Sequence, residues 1–428
     1  MAKAVSGRNV REMAGERENE QGRFFSFLFP NLIFNIKFVQ ILRMIPRLLE
    51  NHLREAARFF PVLSLTGPRQ SGKTTLIRAI FPEYRYVSLE DPELRHFAHD
   101  DPRQFLAVYG PRLIIDEAQY VPELFSYIQL HVDELRQPGL YLLTGSQHFL
   151  LSEKITQSLA GRVGVFVLLP FSFSEIDAVG LAEGDLESQL VRGAYPGLYD
   201  LGTPPSLFYS SYLQTYLERD VRQLIAIGDL RLFQSFMKVC AGLSGQQFNM
   251  SAIANELDVS VPTVKRWVSL LETSFAVFLQ QPYYRNFQKR VVKAPRLFFY
   301  DTGLACYLLG IQSAEQLNQY YQKGALVENW FVTELMKQRY HRGIRPNLYY
   351  WRDKTGHEID CLLEEEGLLK LVEIKAGRTI KPEFFKNLDF FQRQSALPNL
   401  RSFVLYGGEE RQPRTQATIL GWRHVAEI

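Results

Sequence analysis

The stretch GPRQSGKTTL, residues 67–76, decides how the rest of the chain is read. Its spacing Gly67-x4-Gly72-Lys73-Thr74 fits a phosphate-binding loop. The flanks fit too: PVLSL (61–65) is a short apolar run of the kind buried in a parallel sheet, and KTTLIRAIF (73–81) has helical spacing. Strand, glycine turn and helix together aim backbone N–H groups and a helix N-terminus at a phosphate. Residues Gly67, Pro68, Arg69, Gln70, Ser71, Gly72, Lys73, Thr74 and Thr75 are therefore expected to line a nucleotide. Lys73 is expected to reach the β- and γ-phosphates, and the Thr74 hydroxyl to ligate Mg2+.

The companion elements follow in order. In RLIIDEAQ (112–119) a second buried strand ends in Asp116 and Glu117, at the carboxyl edge where open α/β sheets bind ligands. Asp116 is expected to hold Mg2+ through water, and Glu117 to orient and polarise the attacking water. A third strand, LYLLTGS (140–146), ends in Thr144 and Ser146, hydroxyls suited to sense a γ-phosphate or hold that water. SLAGRVGVFVLLPFS (158–172) puts Arg162 just before a fourth apolar strand. Arg162 is expected either to stabilise charge on the γ-phosphoryl group, in its own subunit or a neighbour, or to form a structural salt bridge.

Taken together, GPRQSGKTTL, LEDPELR, LIIDEAQ, LLTGSQ, SLAGR and PFSFSE resemble a large family of bacterial and archaeal AAA-type ATPases that carry a C-terminal domain of unknown function. The resemblance runs from about Met44 to the C-terminus. It implies ATP and Mg2+ as cofactors and a sheet with a strand inserted between the loop and the acid pair. It carries the loop and Mg2+ roles to Gly67, Gly72, Lys73, Thr74 and Asp116, and the catalytic acid to Glu117.

Length and composition set bounds. At 428 residues the chain exceeds what one hydrophobic core usually supports. A formal charge of +3 is too small to imply a nucleic-acid partner, so any basic signal has to be local. Cys240, Cys306 and Cys361 lie far apart without metal-binding spacing, which argues against zinc and disulfides and suits a cytoplasmic protein. Residues 1–23 read as disordered, and the apolar run 24–45 is interrupted by Pro30, Asn31, Asn35 and Lys37. Residues 1–43 are expected to be an extension outside the fold, ahead of an alternative start at Met44. A membrane anchor is the competing reading.

Past the fourth strand, residues 181–230 read as a helical connector. Its charged cluster Glu218, Arg219, Asp220 and Arg222 suits an interdomain salt-bridge helix. NMSAIANELDVSVPTVKRWVSLLETS (249–274) has the pattern of a helix-turn-helix. Its Thr263, Lys265, Arg266 and Ser269 fall on the outward face. RNFQKRVVKAPR (285–296) carries Arg285, Lys289, Arg290, Lys293 and Arg296 without an acid and reads as a basic wing. DNA and protein remain alternative partners for such a winged module.

The last segment places Glu328 near the start of a helix, then two strands, HEIDCLL (357–363) and LKLVEIK (369–375), around the turn Glu365-Glu366-Gly367. Centring that turn on Glu366-Gly367 sets Asp360 opposite Glu373 and Glu358 opposite Lys375. Facing carboxylates repel unless a cation lies between them. The order Glu328, Asp360, Glu373, Lys375 is similar to the active-site order of the restriction-endonuclease-like, PD-(D/E)xK, fold. An ordinary cross-strand charge cluster is the alternative.

The expected architecture is α/β: an extension (1–43), a P-loop ATPase domain of AAA type with a parallel sheet and flanking helices (44–180), a helical connector (181–230), a winged helix-turn-helix domain (231–314) and an α/β nuclease-like domain (315–428). The expected function is Mg2+-dependent ATP hydrolysis that moves the downstream modules on DNA. The alternative is an ATP-dependent switch whose C-terminal half binds protein.

Overall fold

Val62–Thr66 forms β1, and all five residues are buried because strands flank it on both sides. A computed structural model describes residues 44–146, 158–217, 230–283, 294–395 and 397–428. Among these residues five strands make a parallel sheet in the order β2-β3-β4-β1-β5, with β2 Arg85–Ser88, β3 Leu113–Asp116, β4 Tyr141–Gly145 and β5 Val163–Val167. β4 lies between β1 and β3, the inserted strand that the family resemblance implies.

The two-residue period of the strands sorts side chains to two covered faces. Leu63, Leu65, Ile114 and Leu142 pack with Leu49 and Leu53 of the helix Leu49–Ala56 and with Leu76, Ile77 and Ile80 of the helix Lys73–Ile80. Val62, Val87, Leu113, Ile115, Tyr141 and Leu143 pack on the opposite face with Phe105, Phe125, Ile128 and Val132. Because all five strands run the same way, the ends of β1, β3 and β4 open onto one edge. Residues 67–72, Asp116, Glu117 and Ser146 gather there.

The connector folds into the short helices Leu186–Arg192, Pro196–Asp200 and Pro205–Tyr212. The cluster Glu218, Arg219, Asp220 and Arg222 lies outside the described residues. The helices Met250–Glu256 and Val261–Thr273 follow; Asn249 caps the first, Ser260 caps the second, and Val264, Trp267, Val268 and Leu271 turn inward. Lys265, Arg266 and Ser269 are exposed as expected, whereas Thr263 is half-buried beside the Ser260 hydroxyl at 2.8 Å.

A second sheet has, among the described residues, eight strands in the order β12-β13-β11-β10-β9-β8-β6-β7. These are β6 Val277–Pro282, β7 Arg296–Phe299, β8 Leu348–Arg352, β9 Glu358–Glu365, β10 Leu368–Lys375, β11 Leu400–Tyr406, β12 Arg411–Pro413 and β13 Thr418–Gly421. β6 and β7 form a hairpin within residues 231–314, the span expected to be a winged helix-turn-helix domain. β6 also pairs in parallel with β8 at Gln281–Tyr349 and Pro282–Tyr350, so one sheet crosses residue 314.

The β9–β10 turn has Glu366 at φ 50° and Gly367 at φ 79°, the two left-handed residues of a tight hairpin. Its register runs from Leu368–Glu365 to Val372–Cys361, as the turn position predicts. The 19-residue helix Lys323–His341 is buried along most of its length. Its Glu334 accepts the Phe173 backbone N–H at 2.7 Å, its Lys337 ammonium donates to the Phe171 carbonyl at 2.9 Å, and its Gln338 amide donates to the Val425 carbonyl at 3.0 Å. This helix thereby bonds both to the segment leaving the first sheet and to the chain's end.

Candidate functional site

The loop after β1 turns in a way few residues allow. Gly67 has φ 150°, and a Cβ there would lie 2.1 Å from the Leu168 carbonyl oxygen. Gly72, at φ 89°, opens the helix Lys73–Ile80. The Lys73 ammonium is buried and donates to the Gly67 and Pro68 carbonyls at 3.0 and 2.8 Å, so the positive charge lies against the loop. The Ser71 hydroxyl is buried with no hydrogen-bond partner among the described residues. Arg69 lies 3.7 Å from Glu90, Gln70 takes φ 61°, and Thr75 is exposed.

Hydroxyls converge on Asp116. Thr74 donates to its Oδ2 at 2.9 Å, Tyr86 donates to the same oxygen at 2.7 Å, and Thr144 contacts Oδ1. Hydroxyl and carboxylate oxygens side by side are a hard donor set of the kind Mg2+ takes. Glu117 sits in the left-handed region at φ 53°. Its Oε2 accepts from the Ser146 hydroxyl at 3.1 Å and contacts the Gln119 amide. A non-glycine residue held there carries backbone strain of about 1–3 kcal/mol, a feature that clusters at functional sites.

Two participants were not found in the sequence. Tyr86 reaches Asp116 from β2, a strand with no motif of its own. Burial, with the Asp116 carboxylate second, holds its hydroxyl well above the usual tyrosine range and keeps it a donor. Arg47 donates to the Ser71 carbonyl at 3.0 Å and the Leu169 carbonyl at 2.6 Å, and pairs with Glu175 at 3.2 Å. His341 lies 3.5 Å from Arg47 and 3.4 Å from Glu175. Burial pushes His341 down to about 4, so the ring is neutral at neutral pH. Burial opposes ionisation of Glu175, but Arg47, His341 and the backbone N–H groups of Ser172 and Leu48 hold it below the usual carboxylate range.

Arg162 is not brought to this edge. Its carbonyl accepts the Val62 N–H at the start of β1, and its guanidinium grips Asp133 at 2.5 and 2.8 Å. In a parallel sheet the residue before a strand lies at the amino edge, away from the loop. The geometry therefore supports the salt bridge and not a charge-stabilising role at the chain's own loop.

The C-terminal residues gather around the β9–β10 hairpin. Beyond the last paired position, Asp360 Oδ2 accepts the Ile374 backbone N–H at 2.7 Å. Glu373 Oε1 accepts from Lys375 at 2.6 Å and from Asn387 at 3.2 Å, while Oε2 is buried with no hydrogen-bond partner among the described residues. Burial, then the nearby Asp360 charge, pushes Glu373 up to about 8. Burial works against the Lys375 charge, yet Asp360 and Glu373 hold that ammonium above its usual range.

Glu328 does not join them as a third oxygen. It contacts Arg296, which also lies 3.1 Å from Glu358 and donates to the Gly245 carbonyl at 2.8 Å. Burial pushes Glu328 up to about 8 despite Arg296. Arg296 is itself only 5% exposed, so it is not part of a solvent-facing basic wing. Arg285, Lys289, Arg290 and Lys293 lie outside the described residues. No group of three acidic, His or Cys side chains suited to a metal occurs among the described residues. Of the expected pair Asp360 and Glu373, one carboxylate oxygen, Glu373 Oε2, is left without a hydrogen-bond partner among the described residues. Cys240, Cys306 and Cys361 are buried and free, and no helix among the described residues is long and apolar enough to cross a membrane.

Known sequences match this chain along most of its length. Residues 60–177 match an AAA domain, residues 183–315 a domain of unknown function (DUF8612), and residues 323–425 a second domain of unknown function (DUF4143). An uncharacterized protein of Mycobacterium tuberculosis, Rv2008c, is 31% identical over 376 residues, covering 86% of this chain and 81% of that protein. An uncharacterized protein of Methanocaldococcus jannaschii, MJ1544, is 22% identical over 69% of this chain and 70% of its own. Among solved structures, the Walker-type ATPase PABY2304 of Pyrococcus abyssi is similar at 16% identity and TM-score 0.43, over 61% of this chain and 94% of that one.

Proposed function

Because the chain belongs to the family of proteins that join an AAA domain to the domain of unknown function DUF4143, we propose that it is an Mg2+-dependent ATPase whose nucleotide state acts on DNA through its C-terminal half. One observation carries the ATPase reading: the Thr74 hydroxyl meets the Asp116 carboxylate beside a buried Lys73, at the strand edge where Glu117 is held by Ser146. Mg2+, when bound with ATP, supplies positive charge to the β- and γ-phosphate oxygens.

The chain's own groups do the rest. Residues 67 and 69–75 would wrap the phosphates with backbone N–H groups, and the orphaned Ser71 hydroxyl has a partner to gain there. Lys73 exchanges its loop carbonyls for phosphate oxygens. Thr74 and Asp116 would hold the metal, Tyr86 and Thr144 fix Asp116, and Glu117 would orient water and take its proton. Ser146 keeps the Glu117 carboxylate in place. Glu117→Gln is expected to bind ATP as the wild type does and to hydrolyse it at least about a hundred times more slowly. Turnover like that of the wild type would move the water-orienting role to another group.

The second part of the proposal rests on the orphaned Glu373 oxygen beside Asp360 and Lys375. A divalent cation there relieves the repulsion between the two carboxylates, and Lys375 is placed to steady a phosphate. Helix Val261–Thr273, with Lys265 and Arg266 outward, is a winged-helix reader in this scheme, and Arg296 holds Glu328 against the site's rim. Asp360→Ala and Lys375→Ala are each expected to abolish Mg2+- or Mn2+-dependent nicking of DNA while leaving ATP turnover intact. If the wild type and both variants treat DNA alike, the C-terminal half is a protein-binding switch.

A further inference from the structure

Beside the Asp360–Glu373–Lys375 group lies a set of aromatic rings that the proposed chemistry does not use. His357 and Phe390 stack with centroids 3.7 Å apart and planes 17° apart, and Trp351 meets Phe391 edge-on at 5.0 Å. Phe391 and Leu388 are buried against the sheet, but His357, Phe390 and Trp351 are only half-buried. Three elements bring these rings together: Trp351 lies next to last in β8, His357 precedes β9, and Phe390 lies on the helix Lys386–Ser395.

The stack is joined to the carboxylates by one side chain. Asn387 donates to Glu373 Oε1 at 3.2 Å, and its own carboxamide oxygen lies 3.4 Å from His357 Nδ1. Asn387 and Phe390 are three apart on a helix and therefore neighbours on its surface. A single carboxamide thus separates the ring stack from the carboxylate proposed to face a phosphate. The exposed Lys354 and Lys386 flank the rings in sequence, one in the turn before His357 and one next to Asn387.

We propose that the His357–Phe390 stack, with Trp351 at its side, is a platform for an unpaired nucleobase, so that the substrate of the neighbouring site is a single-stranded nucleic acid. The inference rests on the cleavage reading of Asp360, Glu373 and Lys375 for what happens to the strand, but not for the binding itself. Flat rings already stacked upon each other accept a further ring on an open face, and any base can supply it. A base inside a duplex has both faces covered by its neighbours and cannot dock this way. The lysines supply the charge that a phosphate backbone requires.

The experiment is equilibrium binding of the full chain to labelled oligothymidylate, oligouridylate and a DNA duplex, in EDTA so that nothing is cut. The wild type is expected to bind the single strands more tightly than the duplex. Oligothymidylate against oligouridylate tells whether the strand is DNA or RNA. His357→Ala and Phe390→Leu should each weaken single-strand binding about ten-fold and leave duplex binding unchanged, while Phe390→Trp restores it. Single-strand affinity equal in the wild type and both variants would overturn the platform, as would equal losses on single strand and duplex. Should Phe390→Leu unfold, the exposed Lys354→Glu gives the same reading through a shallower salt dependence on single strands only. If the wild type binds single strands as expected and shows no metal-dependent cleavage of them, the cleavage reading fails and the platform stands. Cleavage confined to duplex and indifferent to His357 and Phe390 would reverse that outcome.

Discussion

Asp116 is held by three hydroxyls, from Thr74, Thr144 and Tyr86, arriving from a helix and two strands. The tyrosine is the least expected of them, since nothing around ARG-TYR-VAL in residues 85–87 marks a metal site. It acts through the aspartate and so positions a ligand; such partners commonly set metal affinity ten- to a hundred-fold. Tyr86→Phe should therefore raise the Mg2+ concentration needed for half-maximal ATP turnover by about ten-fold, with saturated turnover changed less. A Mg2+ titration checks this, and an unchanged midpoint would make Tyr86 a packing residue that Arg78 covers at 4.7 Å. At this scale the sequence is legible where a residue type and its spacing are both constrained, as in Gly67, Gly72, Lys73 and Thr74. It is illegible where a common residue arrives from a neighbouring strand, as Tyr86 does, or from the segment before the first helix, as Arg47 does.

Among elements, the segment before the first helix, the short helix Phe173–Asp177 and the long helix Lys323–His341 meet at Arg47, Glu175 and His341. The phosphate loop is bonded into this buried group through the Ser71 carbonyl. His341, neutral and pushed down to about 4, must gain a proton to match the unfolded chain, whose ordinary histidine titrates near 6.5. Glu175, held below its usual range, must likewise be protonated in acid. Both shifts are depressions: the His341 contribution is full above about pH 6.5 and drains away as pH falls toward 4, whereas that of Glu175 is lost only below the ordinary carboxylate range. Lys337 and Arg47 face His341 as further positive charges and act in the same direction. His341→Asn should flatten the fall in urea-unfolding stability between pH 6.5 and 4; an unchanged slope would assign it to other groups.

The same scale shows what strand order tells and what it hides. The β9–β10 register followed from two facts, a tight turn at Glu366-Gly367 and a side-chain period of two, and it holds from Leu368 to Val372. Arg162 was left between two roles by the sequence, and the fold puts it before a parallel strand, at the amino edge, where it pairs with Asp133. Arg296 was not legible, since RNFQKRVVKAPR carries five basic residues and no acid, and only the fold reveals that the Arg296 side chain turns inward to Glu328 and Glu358.

Over the whole molecule, the sequence conveyed an AAA-type α/β sheet followed by further segments, but not how the strands of those segments join. Boundaries inferred from composition assume that each module closes its own sheet. Here β6, which follows the paired helices, continues into β8 of the C-terminal segment, and Gln280 reinforces the junction by donating to the Tyr349 and Asp360 carbonyls at 3.1 and 3.2 Å. The Asp360 carbonyl belongs to the proposed cleavage site. The ladder of one continuous sheet therefore runs from the strand after the helix pair to that site.

That ladder also limits how the chain can be divided. Cutting it at residue 314, where the sequence alone invites a cut, would strip β6 from β8 and lay bare a row of unsatisfied N–H and C=O groups. Residues 315–428 produced alone should stick to one another and sediment as assemblies, whereas a fragment begun at Leu230 keeps that flank sheathed and stays dispersed. Monodisperse behaviour of the shorter fragment would mean that β8 tolerates a naked rim.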